Sequence, residues 1–355
     1  MAAIVLTGTT GCKGFFIPPC QTNCGGGGGG SYSSYAYVAN ATLGTIEAFP
    51  IPTATFTSLT GSSYTLGTVP SAMTATPNGT FLYVAVASSV VAYTIGTNGA
   101  LTQDTSVSSF LPTAMTVDRS GAWLFVVSTS SQQVVPYQID SSTGALTAQS
   151  AVTLDGYPTQ VYFTPNNQYV YIGVGSSGTD VFTFNASTGA MSKVQHLAAS
   201  GAGSDNTFAA DNNSNYLFIG ESGTGIRECM IGSGGVLSVV GTAGTTEVGP
   251  SAIVVDPTNA YVYVSYKGSN AIVGYTLGSG GALTPFSSSP ITTGSLPVAM
   301  SLDSTGKYLL VASSGGSPDL EVFSFDATVA GKLDTVVSLA TGTDPAGAIA
   351  LSVVP

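Results

Sequence analysis

Short apolar stretches alternate along this chain with clusters of Gly, Asn, Asp, Ser and Thr, and the alternation repeats. One copy shows the pattern. "SAMTATP" (71–77) reads as a short strand and Asn78-Gly79 as a turn. "FLYVAV" (81–86) and "VVAYTI" (90–95) read as two further strands joined through Ser88-Ser89, and "TNGAL" (97–101) turns into a polar outer strand, "LTQDTSV". Runs rich in Val, Tyr, Phe and Thr, bounded by turn residues, are the signature of strands, and no stretch shows the 3.6-residue period of a helix.

Aligning the chain on itself gives seven copies of this unit, anchored at Tyr37, Tyr83, Phe125, Tyr171, Phe218, Tyr263 and Leu310, at spacings of 46, 42, 46, 47, 45 and 47 residues. That period predicts a four-stranded propeller blade. A glycine-led turn recurs before the fourth strand: Gly99, Gly144, Gly235 and Gly281 in "GAL" or "GVL", Gly189 in "GAM" and Gly331 in "GKL". The first copy lacks an innermost strand, and "DPAGAIALSVVP" at the C-terminus has the pattern of the missing one, as in "VPSAMTATP". The fold expected is therefore all-β: a seven-bladed β-propeller of four-stranded blades, with the ring closed by the C-terminal strand pairing into the first blade. Closure removes open sheet edges. Residues 31–355 would form the propeller and 1–30 a Cys- and Gly-rich arm or leader.

The repeat resembles the lactonase-type (YVTN-type) seven-bladed propellers, whose blades carry a P-x-x-hydrophobic…D-x-x-G-x-x-[YF]-V pattern. Here it stands as "LPTAMTVDRSGAWLFV" from Leu111 and "LPVAMSLDSTGKYLLV" from Leu296. The resemblance spans about residues 35–355 and points to the bacterial surface and lipoprotein branch. It implies the fold and, for the hydrolases of the group, a cationic pocket containing histidine.

Composition narrows the partners. Charged residues make up 7% of the chain and the net charge is −11, with seven Lys and Arg in all. Phosphate backbones need clustered cations, so nucleic acid is excluded as a partner. The loops expected at one mouth of the ring carry Asp155, Asp180, Asp205, Glu221, Glu247, Asp319 and Asp344, with Lys267 as the main cation. Such carboxylates suit Ca²⁺ or serve as solvated charges, and they would repel a phosphorylated or carboxylated lactone. No other cofactor is indicated. Asp118, Asp256 and Asp303 end innermost strands before turns and read as turn-setting residues. His196, the single histidine, falls on an outermost strand away from the central channel, so no catalytic residue is assigned. Cys229 reads as a small buried hydrophobe, with Arg227 and Glu228 facing opposite ways beside it.

The segment "GCKGFFIPPCQTNCGGGGGGS" (11–31) holds three of the four cysteines. "TTGC" partly matches a lipoprotein cleavage box, so Cys12 is a candidate for lipidation and membrane anchorage. Cys20 and Cys24 could then pair, and without the lipid an odd cysteine is left for pairing between chains. Phe15, Phe16 and Ile17 form an apolar patch on a hexaglycine tether reaching about 13–15 Å. Sequons at Asn40, Asn78, Asn185 and Asn212 allow glycosylation of a secreted chain. Together these features favour a non-catalytic extracellular or cell-surface propeller that self-associates through its arm into oligomers or filaments. The alternatives are a lipoprotein with a ligand-binding mouth and a lactonase-like hydrolase.

Overall fold

A computed structural model describes residues 34–51, 58–201, 203–316, 318–339 and 348–355. The described residues form seven antiparallel sheets in the predicted strand order, five of them four-stranded and two, the third and sixth blades, with the outermost strand in two pieces. Strands are numbered here from the channel outward. The first blade takes its innermost strand, Ala348–Val354, from the chain's last strand, which pairs with Ser34–Asn40 in a register running from Tyr35↔Val354 to Asn40↔Ala348. The ring closes as expected. Among the described residues there is no α-helix, only the short 3₁₀ turns Ser233–Gly235 and Ser279–Gly281. Cys12, Cys20, Cys24, Phe15, Phe16 and Ile17 lie outside the described residues.

All seven anchor residues are fully buried on second strands. They do more than fill space. The hydroxyls of Tyr37, Tyr83, Tyr171 and Tyr263 donate to the carbonyls of Gly99, Gly144, Gly235 and Gly331, each in the next blade's glycine turn, at 2.8–3.0 Å. A second aromatic packs against such a turn: Phe81 on Gly144, Trp123 on Gly189, Tyr169 on Gly235 and Tyr216 on Gly281. A Cβ on any of these four glycines would sit 2.4–2.6 Å from the ring, and all four have positive φ. Glycine is therefore required twice over, by backbone conformation and by the ring above it.

Nearer the channel, hydroxyls stitch the first strands together. Thr159 donates to the carbonyl of Asp205 and Ser251 to that of Pro297, each reaching the following blade. The opposite, lower face carries the turns between first and second strands. There Asp118, Asp256 and Asp303 each accept backbone N–H bonds from residues two, four and five positions on, as turn-setters should. Asn167 of the fourth blade reaches back to Asp118 of the third, and Asn259 of the sixth to Asp211 of the fifth.

Replacing Gly235 by Ala should lower the unfolding free energy by about 3 kcal/mol, the scale of a strained backbone plus an overpacked core. Tyr171→Phe, which only leaves a buried carbonyl unpaired, should cost about 1–2 kcal/mol. Urea denaturation checks both; a Gly235→Ala protein as stable as the parent would remove the double requirement for glycine.

Candidate functional site

The central channel encloses a cavity of about 270 Å³, lined by first strands through residues such as Ser71, Met73, Thr113, Gln160 and Thr207. No acid, base or cation is among its described lining residues. Two clusters of ionisable side chains stand on the upper face, one on the third and fourth strands of the fourth blade and one at the joint between the fourth and fifth blades.

In the fourth blade the third strand, Gly178–Asn185, pairs with the fourth, Ala190–Ala198. Counting outward from the Asn185↔Ala190 pair, an unbroken register would set Asp180 opposite Gln195. A bulge at Val194 shifts the count by one, and Asp180 faces His196 instead. Bulges re-aim side chains in this way. Lys193 and His196 thereby share the face that looks toward the third blade, while Gln195 turns to the fifth and bonds both backbone groups of Leu237.

The result is a compact ionic cluster. His196 Nδ1 lies 2.7 Å from Asp180 Oδ1 and 3.4 Å from Asp155 Oδ2. Lys193 Nζ lies 2.6 Å from Asp155 and 2.9 Å from Asp180. Asp155 arrives on the connection from the third blade, and its N–H donates to Asp180 Oδ2 at 2.8 Å. Exposure grades the members: the Asp180 side chain is fully buried, that of His196 is 30% exposed and that of Asp155 51%. The hydrogen bond from Lys193 holds Asp155 below the usual carboxylate range. Burial pulls Lys193 down, but its bonds to Asp155 and Asp180 outweigh that and leave it raised. With Nδ1 engaged by carboxylates, Nε2 is the ring nitrogen that can take up a proton.

Asp155, Asp180 and His196 also bring ligand atoms within 4.8 Å of one another, the spacing a metal ion needs. The Lys193 ammonium already lies between the two carboxylates, so a cation would have to displace it.

The second cluster seals the joint between the fourth and fifth blades. Arg227 bonds Asp205 at 2.7 Å, Glu221 at 3.2 Å and the carbonyl of Ala198 at 2.6 Å. Thr179 donates to Asp205, and Thr224 and the Ser200 N–H donate to Glu221. Two buried carboxylates face one guanidinium, which leaves one negative charge in excess. Burial, with Glu221 alongside, raises Asp205 well above the aspartate range. Burial acts on Glu221 too, but its donors outweigh it and hold Glu221 low. The pair is stable when Asp205 keeps a proton.

The acidic mouth read from the sequence therefore divides. Asp155 joins Asp180, and Asp205 joins Glu221; Glu247 lies apart between the fifth and sixth blades, and Asp319 in the seventh. Asp344 is outside the described residues. Treating these groups as solvated charges fails for Asp180, Asp205, Glu221 and Asp319, which are fully buried; Asp180 meets Lys193, and Asp205 and Glu221 meet Arg227. Two cations the loop inventory passed over, Lys193 and Arg227, sit on strands. His196 stands on the expected outermost strand, but with carboxylate partners that its position alone did not disclose. Cys229 is buried as expected, its thiol pushed up to about 12 by burial. Glu228 faces away from Arg227 and accepts from Leu283 N in the sixth blade. Among the sequons, Asn78, Asn185 and Asn212 are exposed, whereas Asn40 is buried. A buried side chain has no room for a glycan, so Asn40 is withdrawn as a candidate.

The family model described as "Lactonase, 7-bladed beta-propeller" matches residues 31–163 and 158–346. No curated protein matches the chain. Among solved structures, a periplasmic gluconolactonase of Pseudomonas aeruginosa aligns with a TM-score of 0.73 at 17% identity, over 91% of this chain and 99% of that one. A proposed 6-phosphogluconolactonase of Bacteroides uniformis aligns with a TM-score of 0.77 at 16% identity, over 90% and 99%. A functionally unknown protein of Desulfotomaculum acetoxidans aligns with a TM-score of 0.71 at 14% identity, over 90% and 98%. At these identities the structures establish the fold.

The buried carboxylate pair generates a pH signature. An unfolded aspartate loses its proton near 3.9, while Asp205 keeps its proton to about 7. Stability from this group is complete below pH 4 and is lost as pH rises toward neutrality. Asp205→Asn, which is neutral at every pH and so has no proton to lose, should remove about 2 kcal/mol of that decline. Denaturant titrations of both proteins from pH 4 to 8 measure it; parallel curves would mean that no proton is held there.

Proposed function

The chain belongs to the family of seven-bladed β-propeller lactonases, and on that premise we propose that it is a lactone hydrolase whose reaction centre is the His196 cluster of the fourth blade. The observation that carries this reading is the 2.7 Å contact between His196 Nδ1 and the buried Asp180 carboxylate. A carboxylate behind an imidazole fixes its tautomer and supports the imidazolium that forms when Nε2 takes a proton.

In the proposed reaction Nε2 accepts a proton from a water molecule as its oxygen adds to the lactone carbonyl carbon. The tetrahedral intermediate then collapses, the ring C–O bond breaks, and the imidazolium returns the proton to the departing alkoxide. A hydroxy acid is the product. An ammonium has three donors; Lys193 commits two to Asp155 and Asp180 and has one for the oxyanion. This reading displaces the assembly role first expected, which rested on residues 11–31, outside the described part of the chain. The likeness to a periplasmic gluconolactonase supports a place outside the cytoplasm, in keeping with the secreted location expected from composition.

His196→Asn should lower kcat/KM on D-glucono-δ-lactone by about 10²–10⁴-fold, the contribution of one positioned acid–base group, while leaving the fold intact on its partly exposed strand. Asp180→Asn should lower kcat with little change in KM. Proton release followed by pH-stat, corrected for spontaneous hydrolysis, tests both; full activity in His196→Asn would refute the assignment.

A further inference from the structure

The charge arrangement around His196 also bears on which lactones can enter, an inference that rests on the hydrolase reading. We propose that the site takes uncharged lactones and turns away phosphorylated or carboxylated ones, and that Asp155 sets this selectivity. Lys193 is the one permanent cation of the cluster, and it is outnumbered by Asp155 and Asp180, which hold it from two sides at 2.6 and 2.9 Å. An ammonium so engaged cannot offer an anion the several charge-assisted donors that phosphate recognition uses.

The two carboxylates differ in what they present to a ligand. Asp180 is fully buried and faces His196, whereas Asp155 is 51% exposed on the rim. An incoming substrate therefore meets Asp155 first, and a negative substituent meets a negative charge. The bonds from Lys193 keep Asp155 ionised, so the rim stays negative across the neutral range.

No other described cation is placed to compensate. Arg227 is buried and committed to Asp205 and Glu221. Arg119 and Lys307 stand in first-to-second-strand turns on the lower face. Lys332 is engaged by Asp326 and Asp334 at 2.8 and 2.6 Å. Lys267 is exposed on the upper face, but in the sixth blade, two blades from His196. The chain's net charge of −11 adds a long-range field of the same sign.

The test compares kcat/KM for D-glucono-δ-lactone and its 6-phosphate, in the parent and in Asp155→Asn, at about 10 mM and 0.5 M salt. The parent should prefer the neutral lactone at least 10-fold at low salt. The preference should shrink at 0.5 M, where charges more than a few ångströms apart are screened. In Asp155→Asn the ratio of phosphorylated to neutral turnover should rise several-fold. Equal or faster turnover of the phosphate by the parent, or a ratio that Asp155→Asn leaves unmoved, overturns the selectivity while the hydrolase reading stands. Turnover of neither lactone above the spontaneous rate overturns the hydrolase reading and this inference with it.

Discussion

Along most of the ring, each blade grips the next by laying an aromatic side chain on a glycine and, at four joints, by passing a tyrosine hydroxyl to that glycine's carbonyl. Sheets packed face to face bury apolar area without fixing their rotation, since dispersion and desolvation are not directional. A hydroxyl aimed at one carbonyl, and a ring that tolerates no Cβ beneath it, convert that loose attraction into a defined angle and distance. The upper-face clusters depend on this precision. Lys193 and His196 meet Asp155 only because the connection from the third blade arrives at a set height, and Arg227 spans the fourth and fifth blades only because their spacing is held.

Much of this was legible beforehand because it repeats. Seven anchors at near-constant spacing, six glycine turns and a final strand matching the missing first one left a single closed architecture, and the structure has it. The Asp118, Asp256 and Asp303 turns were equally readable, since an aspartate before such a turn has local amides to accept. The site was not, and the reason is a single residue. Straight counting along the hairpin of the fourth blade pairs Asp180 with Gln195, and the bulge at Val194 replaces that glutamine with His196. Nothing in "AMSKVQHLA" marks where the extra residue falls. Asp155 enters from another blade, across a joint that only tertiary structure defines.

The same limit explains the misjudged acidic mouth. Loop position suggested solvated carboxylates, yet four of them are buried, and Asp180, Asp205 and Glu221 meet cations that stand on strands. A charge inventory by loop cannot see a cation on the adjacent strand. Nor can it tell a carboxylate that shares a proton from one that faces water. Asp205 and Asp155, both read as mouth residues, ended with opposite displacements of their proton affinity.

Ring closure has a kinetic side. Six blades are built from strands that follow one another in the chain, and their sheets can assemble from local hairpins. The first blade joins Ser34–Asn40 to Ala348–Val354, so pairing those strands ties off a loop of most of the chain. The loop-closure entropy for such a length is about 5 kcal/mol beyond a constant if the two strands pair while the chain between them is still unfolded. Forming the other six blades first shortens the flexible part of that loop and removes most of this cost. Closure of the ring is therefore expected last in folding, once the other blades, the fourth with its ionic cluster among them, have brought the two strands together.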